Sequence, residues 1–345
     1  MIQKFLIKPN NTIEEALKLI QKNSRRCLAV VNDKKILLGT LSDGDIRSAL
    51  LENKNLKHKI SQIYNKKAMF IFNNNLSKEK EKVNSLLTKF DIIPVVNQFK
   101  IVVDIIFPGK EKSKIEDLKT SVIIMAGGKG TRMHPISKIL PKPLIPLNEK
   151  PIISHIIESF TKFGIKNFII SINYKSEIIK AYFKENQDRL NIKFLEEKIP
   201  LGTVGPLSLL KNKIKNDFFV INCDTILKIN YSDLFEFHKK NKNFVTIVAS
   251  AKEFKIPYGV CNIDKKGNLK KINEKPNYNF LVSSGIYLIN PKILKYLPSN
   301  KKFDFNEFIK ILIFKKIKVG VYPIDDNLWL DVGKLSEFEK ANKLI

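Results

Sequence analysis

Cysteine is scarce in this chain and follows no pattern. Three are present, Cys27, Cys223 and Cys261, far apart and odd in number. That excludes a disulfide framework and a zinc site built on cysteine. Long apolar runs are missing too: no stretch reaches the ~18 unbroken apolar residues of a membrane span. The opening residues, Met1-Ile2-Gln3-Lys4-Phe5, lack the apolar core and small-residue cleavage site of a secretory signal. A cytoplasmic location and no membrane partner are expected. Acidic residues are few beside basic ones, 34 against 61, for a net charge of +27. A surplus of that sign raises nucleic acid as a partner. The lysines, however, run along the whole chain, through every expected helix and most loops. Aromatic residues rarely interleave with them as a stacking platform requires. No nucleic-acid partner is expected, and the surplus favours anionic small substrates instead.

A length of 345 residues suggests two or three domains. The first hundred residues hold a repeat. Cys27–Asn32 is an apolar strand, Asp33-Lys34-Lys35 a turn, and Ile36–Leu41 a second strand. A shift of 65 positions restores the pattern in Ile92–Asn97, Gln98-Phe99-Lys100 and Ile101–Ile106. Each copy follows an amphipathic stripe, Ile13, Ala16, Leu17 and Ile20 in one, Val83, Leu86, Leu87 and Phe90 in the other. Thr12 and Glu15 fit a capping box. The first copy runs on into Gly39-Thr40-Leu41-Ser42-Asp43-Gly44-Asp45, where Ser42 is positioned to cap a helix through Leu51. The segment resembles a CBS domain, and residues 1–112 resemble a CBS pair, with copies at about 1–60 and 61–110. That resemblance implies an adenine nucleotide as partner, contacted by Ser42 and Asp45. The second copy is degenerate, with Asp104, Phe107 and Lys110 in place of Gly39, Ser42 and Asp45. A module that only dimerises is the alternative, and a homodimer is expected by analogy.

After a polar linker at 113–119 the rhythm changes. Strands at Ser121–Ala126, Asn167–Asn173 and Asn191–Leu195 alternate with helices at Ile152–Phe163 and Ser176–Phe183. This is the βαβ pattern of an α/β domain with a mostly parallel sheet. Its first strand ends in Ala126-Gly127-Gly128-Lys129-Gly130-Thr131-Arg132. Glycines let backbone approach a polyphosphate and aim N–H groups at it, and Arg132 can fork onto phosphate oxygens. Neither the Walker pattern nor the dinucleotide G-x-G-x-x-G is present. Next comes Pro141-Lys142-Pro143-Leu144-Ile145-Pro146, then Lys150-Pro151. Prolines fix an extended path and so hold Lys142 beside the loop.

Together these residues resemble the sugar-1-phosphate nucleotidyltransferase signature, in its guanylyltransferase-like form, across 120–345. The resemblance implies a Rossmann-like α/β domain with a mixed, mostly parallel sheet behind an α+β CBS pair. It implies an enzyme that joins a nucleoside triphosphate to a sugar 1-phosphate and releases pyrophosphate. Ala126, Gly127, Gly128, Gly130, Thr131, Gly202 and Thr203 would hold the nucleotide, and Arg132, Lys142 and Lys275 the phosphates. Asp224 and Asp331, each ending an apolar strand, resemble the family's metal pair. Two carboxylates suit Mg²⁺, which completes its shell with substrate phosphate. Gly259, Glu274, Lys275 and Ser283 match sugar-side positions, with Ser283 replacing the asparagine of guanylyltransferases. Glu197 stands where the family places a base contact; a carboxylate accepting from two adjacent donors suits guanine, so GTP is favoured. A CBS pair in front further resembles the glucosamine-1-phosphate guanylyltransferases of bacterial legionaminic acid pathways. Mannose 1-phosphate, uridylyl or thymidylyl transfer, and a non-catalytic nucleotide sensor are the alternatives.

Overall fold

A computed structural model describes residues 2–23, 25–52, 54–75, 90–107, 118–185 and 190–342. The expected helix over Val83, Leu86 and Leu87, most of the linker, and Lys110 lie outside the described residues. Packing divides the chain into two compact units, 1–114 with 253–280, and 115–252 with 281–345. Residues 253–280, inside the expected domain at 120–345, group with the first unit by packing.

In the first unit, β1 (Leu6–Ile7), α1 (Ile13–Asn23), β2 (Cys27–Val31), β3 (Leu37–Ser42) and α2 (Asp43–Leu51) form one copy of the repeat. The described strands of the other are β4 (Ile71–Phe72), β5 (Ile93–Val96) and β6 (Val102–Ile106). Both copies pair their strands alike, first with second parallel and second with third antiparallel. The turns match to the atom. Asn32 Oδ1 accepts from Lys34 and Ile36 N–H, and Asn97 Oδ1 accepts from Phe99 and Ile101 N–H. Asparagine does this because its short side chain mimics a backbone turn. Lys35 and Lys100 both adopt φ of 58°. The copies then bond to each other, Leu37 N–H to Lys100 O at 2.8 Å and Val102 N–H to Lys35 O at 3.0 Å. Ala29, Val31, Val96 and Val102 close one shared core.

Local chemistry starts the helices where expected. Thr12 and Glu15 form a reciprocal box at α1, at 2.7 and 3.2 Å, and Ile13 and Ala16 on its inner stripe are buried. Ser42 caps α2 in the same way with Asp45.

The second unit is built on β7 (Ser121–Met125), with β8 (Pro146–Leu147) and β9 (Lys150–Pro151) a small antiparallel pair beside it in sequence. Then follow α3 (Ile152–Thr161), β10 (Asn167–Ile172), α4 (Ser176–Glu185), β11 (Asn191–Glu196), β12 (Phe218–Asn222), β13 (Thr225–Leu227) and α5 (Tyr231–Lys240). β14 (Val245–Lys255) is followed by β15 (Val260–Ile263) and β16 (Leu269–Asn273), which group with the first unit, and then by β17 (Asn277–Ile289). α6 (Phe305–Phe314), β18 (Val319–Asp325), β19 (Trp329–Asp331) and α7 (Leu335–Asn342) complete the chain's order. The main sheet runs β11-β10-β7-β12-β17-β14-β18. It is mostly parallel, with β12 and β17 antiparallel. α3 stops at Thr161, short of the expected Phe163, because Gly164 takes φ of 76° and turns the chain.

Both faces of this sheet are covered, so its central strands read as unbroken apolar runs. Val122 and Ile124 of β7 face one core with Ile153, Ile156 and Phe160 of α3. Ile123 faces the other with Leu207, Phe308 and Leu312. Phe219 and Phe218 of β12 split the same way. Each such buried side chain contributes roughly 1.5–3 kcal/mol, which fixes the register of the strands whose carboxyl ends carry the site.

Candidate active site

At the carboxyl ends of β7 and β12 lies a cleft of about 380 Å³. Crevices at the carboxyl ends of such strands are where ligands bind in open α/β sheets. Gly127, Gly128, Gly130, Thr131, Arg132, Lys142, Glu197, Gly202, Thr203 and Asp224 all line it. Ten residues expected from sequence are therefore brought to one cleft. Ala126 lies buried beneath, its N–H bonded to Ser171 O at 2.9 Å.

Gly127, Gly130 and Gly202 each have a steric reason to be there. A side chain at Gly127 would run into the Glu197 carboxylate, whereas Gly128 opens onto free space. Gly130 has φ of 64°, and its Cα faces the Lys142 stem, a Cβ there falling 3.1 Å from Lys142 Cβ. Gly202 has φ of 82°, with Phe303 O 2.6 Å and Asp304 Oδ1 2.9 Å from where a Cβ would stand. The Gly202 requirement thus comes from the protein behind it.

The loop bearing Gly202 is clamped. Asp304 precedes α6, yet its carboxylate makes no bond to that helix. Oδ1 instead accepts from Thr203 N–H at 2.9 Å and Thr203 Oγ–H at 3.0 Å. Phe303 O accepts from Val204 and Gly205 N–H. Glu197 is only 8% exposed. One carboxylate oxygen accepts from Ser171 Oγ–H at 2.7 Å and the other from Leu201 N–H at 3.0 Å. Burial pushes its pKa up, and the Leu201 and Ser171 bonds oppose that shift. Its oxygens therefore face inward bonds as well as the cleft, which differs from a carboxylate turned wholly to a base.

Lys142 and Asp224 are the charged centre. The short turn Lys142–Leu144, entered from Pro141, buries Lys142 to 6% exposure. Its ammonium bonds to Asp224 Oδ2, and Arg132 Nη2 lies 3.6 Å from the same oxygen. Asp224 is 9% exposed. The antiparallel pair β13–β19 sets Thr225 opposite Asp331, and Val332 N–H bonds to Asp224 O at 2.9 Å. Both acids thereby converge on Gly333: a Cβ there would stand 2.7 Å from Asp224 Oδ2 and 2.8 Å from Asp331 Oδ1. Two carboxylate oxygens approaching one point beside Gly333 form a hard donor set that fits Mg²⁺. No group of three or more His, Cys, Asp or Glu side chains forms a metal cluster among the described residues.

Other expected residues stand elsewhere. Ser283 is exposed on β17, its hydroxyl 3.4 Å from Tyr287 Oη, and does not line the cleft. Gly259, Glu274 and Lys275 belong to the first unit. There a Gly259 Cβ would lie 3.1 Å from Glu274 Oε2, and Lys275 Nζ is 3.9 Å from Glu274 Oε1. Ser42 and Asp45 are bonded to each other at the start of α2. Sequence reasoning missed Lys302 and Pro200, which line the cleft, and Ser171 and Asp304, which hold its walls. Only Asp304 left a local signal, as a helix-capping residue type.

Comparison with known proteins agrees with this geometry. The family model for nucleotidyl transferases matches residues 121–345, and that for the CBS domain matches residues 1–52. A mannose-1-phosphate guanyltransferase of Yarrowia lipolytica is 35% identical over 227 residues, 63% of this chain and 61% of that one. The chain thus spans about three fifths of that relative's length. A D-glycero-alpha-D-manno-heptose 1-phosphate guanylyltransferase of Campylobacter jejuni is 35% identical over 212 residues, 61% of this chain and 93% of that one. Among solved structures, HddC from Yersinia pseudotuberculosis superposes with a TM-score of 0.52 at 27% identity, covering 65% of this chain and 99% of that chain. HddC has also been solved complexed with GMP-PN. With the signature loop, the mixed sheet and the family match all falling on the same residues, this chain belongs to the nucleotidyltransferase family and carries a CBS domain at its start.

Proposed function

We propose that the chain is a sugar-1-phosphate guanylyltransferase that converts GTP and glucosamine 1-phosphate into GDP-glucosamine and pyrophosphate, for synthesis of a legionaminic acid precursor. The observation that carries the transferase reading is the single cleft gathering the glycine loop, Arg132, Lys142 and Asp224. GTP is favoured by Glu197 on the cleft wall and by the guanylyl transfer named for both relatives.

In this reading a sugar-phosphate oxygen attacks the α-phosphorus in line. The bond from that phosphorus to the bridging oxygen breaks, and pyrophosphate leaves with the electron pair. The nucleophile is already an anion at neutral pH, so no side chain has to remove a proton. The obstacle is the approach of two anions, which the site must position and neutralise. Arg132, largely exposed at the cleft rim, takes the β- and γ-phosphates. Lys142 neutralises the α-phosphate, and Lys275 takes the sugar phosphate. Gly128 leaves the backbone open to the phosphate chain. Glu274, Gly259 and Ser283 are assigned to the sugar. Asp224 and Asp331 would hold Mg²⁺, which supplies Lewis-acid charge neutralisation between the two phosphates. The first CBS copy takes an adenine nucleotide through Ser42 and Asp45, in a homodimer.

Mannose 1-phosphate is the second reading for the sugar, favoured by the name of the Yarrowia relative. The test is a pyrophosphate-release matrix crossing GTP, UTP, dTTP, CTP and ATP with glucosamine, N-acetylglucosamine, mannose, glucose and heptose 1-phosphates. Release with GTP and glucosamine 1-phosphate at the highest kcat/KM is expected. A higher value with mannose 1-phosphate would move the assignment to that sugar, and no release in any cell would refute catalysis.

A further inference from the structure

The pairing of Lys142 with Asp224 has a consequence for the order in which the site fills. An aspartate that is 9% exposed cannot stand alone as a charge; it needs a partner cation. Lys142 is that partner, and it is more deeply buried still. Its stem is held against Gly130 and its backbone is framed by Pro141 and Pro143, so the ammonium is delivered to Asp224 Oδ2 by a rigid segment. The oxygen it bonds is the same Oδ2 that faces Asp331 Oδ1 across Gly333. One atom thus serves both the lysine and the place beside Gly333 where the two aspartates converge.

We propose that Lys142 is a placeholder cation: it occupies Asp224 Oδ2 and excludes a divalent ion until phosphate draws the ammonium away. This deepens, and rests on, the reading of Asp224 and Asp331 as metal ligands. Three positive charges cannot share one carboxylate oxygen without strong repulsion in so dry a place. An incoming α-phosphate gives the ammonium a second anion within reach of the same short segment. Lys142 then swings from Asp224 to phosphate, and the freed oxygen becomes a ligand. No bond is made or broken and no proton moves; the exchange is one of ionic partners. Arg132, 3.6 Å from the same oxygen and mostly exposed, follows its own phosphates and adds to the effect. Loading is therefore ordered by the protein: the ion binds with the nucleotide, and weakly before it. A site armed only when nucleotide is present avoids holding a bare ion against water between turnovers.

The test measures Mn²⁺ binding to nucleotide-free full-length protein by the loss of the free Mn²⁺ electron paramagnetic resonance signal. Four proteins are compared: the wild type, Lys142→Gln, Asp224→Asn and the double variant. Gln keeps a hydrogen-bond donor for Asp224 while removing the charge, and circular dichroism with thermal melting checks that each variant is folded. Lys142→Met, which offers Asp224 no donor, is the second charge-free variant should the first not fold. The expected result is at least tenfold tighter Mn²⁺ binding by Lys142→Gln than by the wild type, with the gain abolished in the double variant. Equal affinity of wild type and Lys142→Gln, with Asp224→Asn weakening both, would overturn the placeholder role and leave the metal reading standing. Affinity indifferent to Asp224 in every background would overturn both.

Discussion

Replacing Gly202 by alanine probes the cleft wall with one methyl group. The alanine Cβ would stand 2.6 Å from Phe303 O and 2.9 Å from Asp304 Oδ1, inside any normal carbon contact. The first of those atoms belongs to backbone, so no rotamer change relieves it. An L-residue at φ of 82° adds about 1–2 kcal/mol of conformational cost. To escape, the loop must peel from Phe303–Phe305 and give up the Thr203 bonds to Asp304. Hydrogen bonds to a charged group contribute about 1.5–3 kcal/mol each, so losing the weaker of the two brings the penalty to about 3 kcal/mol. In a unit of this size, 1 kcal/mol lowers Tm by about 2–4 °C, giving a fall near 10 °C. If nucleotide binding re-forms the loop, the same energy appears as a fall of about 10²-fold in kcat/KM for GTP. Turnover at saturating GTP stays within a few-fold of wild type, because the loop is remote from the transferred bond. Differential scanning fluorimetry and pyrophosphate-release kinetics measure the two effects. An unchanged Tm together with an unchanged KM would refute the clamp, and a fall confined to kcat would put Gly202 in the chemical step.

Three further outcomes follow from the same geometry. Asp224→Asn removes a metal ligand and the partner of Lys142, and lowers kcat by more than ~10²-fold, equivalent to about 2.7 kcal/mol; near-normal turnover would remove it from that role. Burial raises the Glu197 carboxyl against the opposing Leu201 and Ser171 bonds. The folded state then holds its proton more tightly than the unfolded one, so stability falls as pH rises above the ordinary value of ~4.3. Glu197→Gln should flatten that part of the Tm–pH curve, and a parallel curve would contradict the assignment. At Asp217, burial pushes the carboxyl up, but bonds from His238 and Lys239 prevail and hold it below its ordinary value. Its contribution is present above ~3.9 and is lost as pH falls through the folded value. Asp217→Ala, which removes the carboxylate 2.6 Å from Lys239 Nζ and frees Asn290 from its 2.7 Å bond, should cost about 1.5–3 kcal/mol at neutral pH in chemical denaturation.

The parts legible in sequence were those whose chemistry is local. Three glycines and an arginine after an apolar strand mark the loop that lines the cleft, and two prolines around Lys142 announce its rigidity. The Asn32 turn returned at Asn97 because side chain and bonded backbone lie within four positions of each other. What stayed hidden depends on contacts between distant segments. Asp304 reads as a helix cap, and only folding turns it to Thr203, 101 residues back. Glu197 reads as free until β10 sets Ser171 beside it. Asp224 and Asp331 were paired by resemblance to a family; the β13–β19 ladder is the physical reason they meet. The sugar-side positions matched in spacing, yet Gly259, Glu274 and Lys275 group with the first unit, a partition no local pattern encodes.

The twin turns at Lys35 and Lys100 carry a last implication. Lys35 O and Leu37 N–H are satisfied by the other copy, and Lys100 O and Val102 N–H by the first. Neither half is therefore a self-sufficient building block: each leaves an open rung that its sibling closes. A fragment ending near residue 60 would carry that open rung to the surface and recruit a second molecule of itself to fill it. The second copy thus serves the first as a structural mate, whatever side chains it carries.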